Sequence, residues 1–291
     1  MTTRHGLLVR PTPAPTGVQL ELTPAVAGWD MIGLTAVKLA PGESWDALND
    51  GVEGCLVVLG GTLDAAVGDE RFPELGDRAT VFDGPPHALY VPVTERLTVV
   101  ARTPVELAYC TALADQRHPA RRIAPDEVAI ELRGDGNALR QIHHILPPGF
   151  PAQRLLIVEV FTPSGNWSSY PPHKHDVHAM PAEADLEEIY YYRTSRPEGY
   201  AIQRVYTGDT GDAGLDETLT VRDGEAVLIP EGYHPVVAPP GYDVYYLNVL
   251  AGSARSMAAT DDPAYGWVRG TWRSHAGERP LFPRPATAGP A

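Results

Sequence analysis

Residues 167–193 read WSSYPPHKHDVHAMPAEADLEEIYYYR. His173 and His175 are one residue apart, and successive side chains of an extended strand alternate faces, so the two imidazoles project from the same side. Downstream, Glu187-Glu188 opens the run Ile189-Tyr190-Tyr191-Tyr192. Its β-branched and aromatic character favours a strand that can carry a carboxylate to those imidazoles. Alternation allows only one of the two glutamates to face them. Farther on, Gly224-Glu225-Ala226-Val227-Leu228-Ile229-Pro230-Glu231-Gly232-Tyr233-His234 gives a glycine turn, an apolar strand, a Pro/Gly turn and a third histidine. Two imidazoles on one strand, a carboxylate on the next and an imidazole on a later strand are the parts of a mononuclear divalent-metal site.

Working outward, 291 residues correspond to about two domains of ordinary size. With 43% hydrophobic and 21% charged residues the composition is globular. No apolar run approaches the ~18 residues of a transmembrane helix. The start, MTTRHGLLVRPTPAPTG, lacks the apolar core and cleavage site of a secretory signal, so a cytoplasmic protein is expected. The formal charge of −14, from 23 Lys+Arg against 37 Asp+Glu, argues against coating nucleic acid or an anionic membrane. A few converging cations can still hold an anionic metabolite. Cys55 and Cys110, both in apolar strand-like runs, read as buried inert thiols.

Residues 1–113 form a first all-β unit. Apolar segments such as Met31–Val37, Cys55–Leu59 and Arg96–Val100 are separated by turns rich in Gly, Pro, Asn and Asp, the pattern of a sandwich or barrel. Residues 114–126, including the polar, proline-bearing ADQRHPARRIAP, read as a linker. A second all-β unit spans 127–272, and a proline-rich tail, 273–291, is expected to be extended or frayed apart from docking at Phe282. With 28 Gly and 29 Pro, many turns and few helices are expected. The halves share a rough plan, Trp45 after Pro41-Gly42 against Trp167 after Pro163-Ser164-Gly165, and Val81–His87 against Val227–His234. The first half has nothing equivalent to His173, His175 and Glu188, so a duplication would leave the metal to the second half alone.

The order Gly165…His173-Lys174-His175…Glu188…Gly224…Pro230-Glu231-Gly232-Tyr233-His234 resembles the paired motifs of the cupin superfamily, small β-barrels that hold one metal through three histidines and a glutamate. More narrowly, TPSGNWSSYPPHKHD, LEEIYYYR, QRVYT, DGEAVLIPEGYHPV and APPGYDVYYLNVLAG resemble the 5-deoxy-glucuronate isomerase family of inositol catabolism, with LVRP and RGDGNALRQIHHIL fitting as well. The interval from His175 to Glu188 exceeds the usual cupin spacing, so DVHAMPAEADL must loop out, as it does in that isomerase family. The resemblance implies an all-β protein of two cupin-type barrels, a bicupin, that converts 5-deoxy-D-glucuronate to 5-dehydro-2-deoxy-D-gluconate, an aldose–ketose isomerisation. It implies His173, His175, Glu188 and His234 as metal ligands, with Glu188 chosen because it directly precedes the aromatic strand. Zn, Mn and Fe all accept that set.

Among the remaining residues, His178, on the loop, is the main rival as a metal ligand but reads rather as an entrance or solvated residue, while His87, His143 and His144 read as structural. The substrate's carboxylate calls for an arginine, which matches it in bidentate fashion. Lys174 and Arg193 should face away from the ligands, and of Arg204 and Arg154 the first choice, by elimination and family match, is Arg204. Tyr190 and Tyr192 share the face of Glu188 and are expected, with Tyr246, to line the pocket. No residue presents itself as the general base. A small sugar acid is the expected partner, and a metal-free first barrel is a natural surface for a homo-oligomer. The alternative readings are an Fe-dependent cupin dioxygenase, which would consume oxygen, and a non-catalytic sugar-acid-binding bicupin.

Overall fold

The computed structural model of the chain describes residues 6–208 and 214–284. Within them almost every regular element is a strand. A four-residue α-helix, Pro24–Ala27, and short 3-10 turns are the exceptions. The strands form two barrels, as the turn-punctuated apolar runs require.

In the N-terminal barrel, strands run in the order Arg121–Ile123, Ala88–Val91, Val52–Gly60, Val105–Leu113, Ile32–Leu39 and Gly17–Leu22 across a six-stranded sheet. A four-stranded sheet, Ser44–Leu48, Arg96–Ala101, Leu63–Val67 and Glu70–Leu75, closes it. The C-terminal barrel repeats the scheme. Its larger sheet runs Leu8–Val9, Ala226–Ile229, Leu186–Thr194, Val244–Gly252, Leu156–Thr162, Arg140–Leu146 and Ala129–Arg133, and its smaller one Trp167–Ser168, Val236–Val237, Tyr200–Tyr206 and Asp216–Arg222. The pairings are antiparallel throughout.

The larger sheets pack back to back, which explains why their central strands are apolar almost without interruption. Cys55, Val57 and Leu59 join Ile189, Tyr191, Leu247 and Val249 in the core between the barrels, whereas Leu56 and Val58 fill the first barrel and Tyr190, Tyr192 and Tyr246 fill the second. Each central strand is buried on both faces, so period-2 patterning is lost in its hydropathy. Cys55 and Cys110 face each other across one strand pair in this seam, where burial pushes both thiols up, as expected of inert groups.

Three carboxylates on the same outward phase cross the seam. Glu53 accepts the backbone N–H groups of Gln153, Arg154 and Leu155 at 2.6–2.8 Å and the Tyr90 hydroxyl at 2.7 Å. Glu187 accepts the N–H groups of Asp30, Met31 and Ile32. Glu159, fully buried, takes both Nη1 and Nη2 of Arg78, the Tyr245 hydroxyl and His143 Nδ1. The Arg78 and His143 contacts hold this carboxyl below its usual value although burial pushes the other way.

The segments outside the barrels are tied in as well. Leu8–Val9 forms the edge of the C-terminal sheet, and Arg121–Ile123, within the expected linker, forms the edge of the N-terminal one. The tail is docked through Arg284: Gln141 pairs with the backbone of Leu281 and Phe282, Phe282 stacks on Phe161 at 5.1 Å, and Arg284 grips Asp243. The rest of the expected tail, 285–291, lies outside the described residues.

The matching ladders also show why the barrels differ inside. Glu188 lies opposite Ile229 and Leu250, and at the corresponding place Gly54 lies opposite Val91 and Thr111. A Cβ on Gly54 would come within 2.0 Å of the Tyr109 hydroxyl, which donates to Asn49 at 2.6 Å. A phenol fills the volume that the other barrel leaves for a carboxylate.

Replacing Glu53 by alanine strands three backbone donors in the seam, and at ~1–3 kcal/mol for each unsatisfied group the loss reaches roughly 3 kcal/mol or more. The expected result is a fall of that size in stability, read from the urea midpoint. A change under about 1 kcal/mol would mean that water satisfies the donors and the carboxylate is dispensable.

Candidate metal centre

The centre is assembled from three places in the C-terminal barrel. His175 follows the short strand His173–Lys174, Glu188 sits on Leu186–Thr194, and His234 follows the turn at Gly232, whose φ of +86° suits glycine. One ligand atom from each of His175, Glu188 and His234 lies within 4.8 Å of the others, and all three residues are buried. His173 adjoins them, its ring centroid 4.9 Å from that of His234 and 6.5 Å from that of His175.

The tautomers are set by the backbone. Nδ1 of His173 meets Pro171 O at 3.3 Å, Nδ1 of His175 meets Leu186 O at 3.1 Å, and Nδ1 of His234 meets Gly232 O at 2.8 Å. Each Nδ1–H donates to a carbonyl, so in the neutral ring each Nε2 is left to present a lone pair, the arrangement that orients metal-binding histidines. His234 Nε2 is buried without a hydrogen-bond partner, 3.3 Å from Glu188 Oε2. His175 Nε2 lies 2.8 Å from the same oxygen. Two imidazoles converging on one buried carboxylate oxygen form a donor set that a divalent cation satisfies, and the orphaned nitrogen fits that occupant.

Burial pushes the Glu188 carboxyl up, but the hydrogen bond with His175 and the nearby His234 imidazole outweigh it and hold the group at about 2. For His175, burial lowers the imidazole but the Glu188 contact raises it above its usual value overall. His173, buried beside two other imidazoles, is held well below the ordinary value and is neutral.

The long interval after His175 is folded back by Glu183, which accepts from Asp176 N, Val177 N and Lys174 Nζ, while Asp176 receives Gly232 N and so fastens this loop to the turn that carries His234. Lys174 faces away from the cluster, as alternation requires. His178 lies outside, exposed and bonded to Ser253.

A cavity of about 250 Å³ opens onto the cluster, with Arg140, Ser169, His173, Tyr190, Tyr246 and Asn248 in its wall. Ser169 Oγ, on a residue at φ +49°, bridges the Tyr190 and Tyr246 hydroxyls at 3.0 and 3.3 Å. Burial pushes both phenols up, so they remain protonated. Tyr192 lies outside the lining: it stacks on Tyr190 at 6.1 Å and donates to Gln203 at 2.8 Å.

Arg204 is not brought to the cavity, and its expected role at the substrate carboxylate has to be corrected. On Tyr200–Tyr206, Ala201, Gln203 and Val205 are buried and Arg204 is exposed. Its guanidinium is held by Asp216 through two contacts of 2.8 Å and lies 4.1 Å over the Tyr206 ring. Arg193 is committed to Glu106 and Asp223. The arginines in the cavity wall are Arg133, Arg140 and Arg269, which the reading by strand phase did not reach. Arg140 shares the phase of Ile142, a core residue of the same barrel two positions along one strand, a relation that tells only once the inward face of that strand is known.

A family model described as the KduI/IolB family matches residues 7–268. A 5-deoxy-glucuronate isomerase of Geobacillus thermodenitrificans is 46% identical over 258 residues, 88% of this chain and 93% of that protein. The crystal structure of an IolB-like protein from Salmonella typhimurium LT2 superposes with a TM-score of 0.87 at 40% identity, covering 90% of this chain and 98% of the other. A mutant of Bacillus subtilis oxalate decarboxylase shares the fold at 11% identity, with a TM-score of 0.60 over 90% of this chain and 80% of that one.

The cluster also dictates a pH dependence for chelator-stripped protein. The raised His175 imidazole stabilises the fold fully below its ordinary 6.5 and loses that contribution as pH rises through the raised value. The lowered Glu188 carboxyl contributes above its ordinary 4.5 and is lost as pH falls towards about 2. The lowered His173 imidazole contributes fully above its ordinary 6.5 and is lost as pH falls, so the thermal midpoint of stripped protein is expected to be highest near 6.5, to decline on the acid side through His173 and Glu188, and to decline on the alkaline side through His175. In His175→Ala the alkaline decline should vanish; its persistence would place the titration elsewhere.

Proposed function

This chain belongs to the KduI/IolB family, and we propose from that premise that it isomerises 5-deoxy-D-glucuronate to 5-dehydro-2-deoxy-D-gluconate in myo-inositol catabolism at a divalent-metal centre in its C-terminal barrel. The observation that carries the reading is the cluster itself: His175, Glu188 and His234 around one point, with His234 Nε2 buried and unpartnered. In this reading those three residues, with His173 beside them, hold the ion. Zn, Mn and Fe are the candidates, since each accepts imidazole and carboxylate donors.

When bound, the ion supplies a Lewis acid for the oxyanion that develops as an aldose becomes a ketose. The protein's own part follows from the cavity wall. The Tyr190 and Tyr246 hydroxyls, kept protonated by burial and joined through Ser169, are donors for the sugar oxygens and a short path along which a proton can pass between O1 and O2. Asn248 Nδ2, buried without a partner, is a further donor in the same wall. Glu188 is the one carboxylate among the described residues of the wall, and as a ligand it is unavailable as a base. The C2 proton must then leave through a group other than an Asp or Glu side chain. Apolar neighbours such as Val158, Val160 and Leu250 keep the wall's polar atoms from bulk water.

Stripping with chelator should abolish turnover, and re-adding Zn, Mn or Fe one at a time should restore it with the native metal. His234→Ala and Glu188→Gln are each expected to lose the ion, measured by elemental analysis, and at least about 10³-fold in kcat/KM. Full activity in either variant would sink the metal assignment. In deuterium oxide the product should carry deuterium at C1; complete retention of the C2 hydrogen would replace proton transfer with a hydride shift.

A further inference from the structure

We propose that Arg140 is the residue that receives the carboxylate of the sugar acid, through the Nε–Nη2 edge of its guanidinium. The proposal rests on the isomerase reading above for the identity of the ligand. Its physical basis is separate.

Arg140 is 3% exposed and lies in the wall of the cavity that opens onto the metal cluster. Its described hydrogen bonds both leave from Nη1, to Ala138 O at 3.2 Å and Tyr170 O at 3.0 Å. A guanidinium has five N–H donors, so Nε and Nη2 retain three, in the side-on geometry that takes both oxygens of a carboxylate. The other two arginines of the wall are already neutralised. Arg133 is bidentate to Glu131 at 2.7 and 2.8 Å, and Arg269 is held by both oxygens of Asp261. Among the described residues, Arg140 has no carboxylate within hydrogen-bonding distance. A buried cation in that condition is costly unless an anion arrives to complete it.

The surroundings fix the group rather than neutralise it. The Trp272 ring lies under the guanidinium at 5.5 Å, and the turn from Gly134 to Ala138 curls around Nη1. Gly134 has φ +90°, and a Cβ there would meet Ala138 O at 2.0 Å and Arg140 Nη1 at 3.0 Å. Burial, reinforced by the positive charges of Arg133 and Arg269, lowers Arg140 to about 10, which still leaves it charged at neutral pH. Its charge also reaches His173 and Tyr246, so the anion site and the reacting end belong to one cavity. A substrate carrying an aldehyde at one end and a carboxylate at the other matches a wall with a metal cluster and a single unpaired guanidinium.

The test compares 5-deoxy-D-glucuronate with its uncharged C6-alcohol counterpart, 5-deoxy-D-xylo-hexose, on metal-loaded wild type, Arg140→Gln and Arg140→Lys. Metal content is measured in each. Wild type should prefer the acid, and in Arg140→Gln the ratio of kcat/KM for acid over hexose should fall by about 10–100-fold, the worth of a charge-assisted bidentate contact. Arg140→Lys should recover part of the ratio, because it keeps the charge without the fork. An unchanged ratio, even with overall activity reduced, would overturn the proposal and leave Arg140 a structural residue. Calorimetric titration with the acid, which needs no turnover, separates the two readings. If wild type binds the acid and Arg140→Gln binds it at least tenfold more weakly, the carboxylate site stands even where no isomerisation occurs. If wild type fails to bind the acid, the site falls.

Discussion

The pleat of one strand, Leu186–Thr194, governs both the chemistry and the architecture of this protein. Its two adjacent glutamates point to opposite faces. Glu188 turns inward to meet His175 and His234, and Glu187 turns outward to hold the backbone of residues 30–32 in the other barrel. The same alternation sends Tyr190 and Tyr192 into the barrel and Ile189 and Tyr191 into the seam. A slip of one residue would exchange these sets, placing Glu188 in the seam and Glu187 in the cavity. Register here is consequently fixed from both sides, by strand partners Ala226–Ile229 and Val244–Gly252 and by the packed N-terminal barrel behind them.

Much of this was legible in the chain because period 2 is a local property. The H-x-H pair, the opposition of Glu187 and Glu188, and the outward course of Lys174 follow from counting residues along short strands. The choice of Arg204 failed under the same rule. Gln203 and Arg204 are neighbours on one strand, and the barrel takes Gln203 inside. Arg140 was harder to find, since its relevance depends on which face of Arg140–Leu146 looks into the barrel. The apolar residues of that strand do not say, because both faces are buried. The Glu159 network and the pairing of Leu8–Val9 with Ala226–Ile229 join residues distant in sequence, and nothing local announces them.

The two barrels share a scaffold and diverge at a few interior positions. Gly54 and Tyr109 occupy the places that Glu188 and Asn248 hold in the second barrel, and the first is packed solid by Leu56, Val58, Leu97 and Leu107. It offers a large apolar face to the second barrel, secured at points by carboxylates that each accept from several donors. Such contacts fix orientation more sharply than aliphatic packing alone, because every one of the donors is stranded if the faces slide.

The edge strand formed by Leu8 and Val9 bears on how the molecule is made. These residues leave the ribosome about 220 residues ahead of their partners Ala226 and Val227, roughly 10–45 s of synthesis at ordinary elongation rates. The N-terminal barrel can close in that interval, with Arg121–Ile123 supplying its border, while the leading segment waits unpaired. An edge strand of the second barrel is thus synthesised before the whole of the first, and it can be seated only once Ala226–Ile229 has been made.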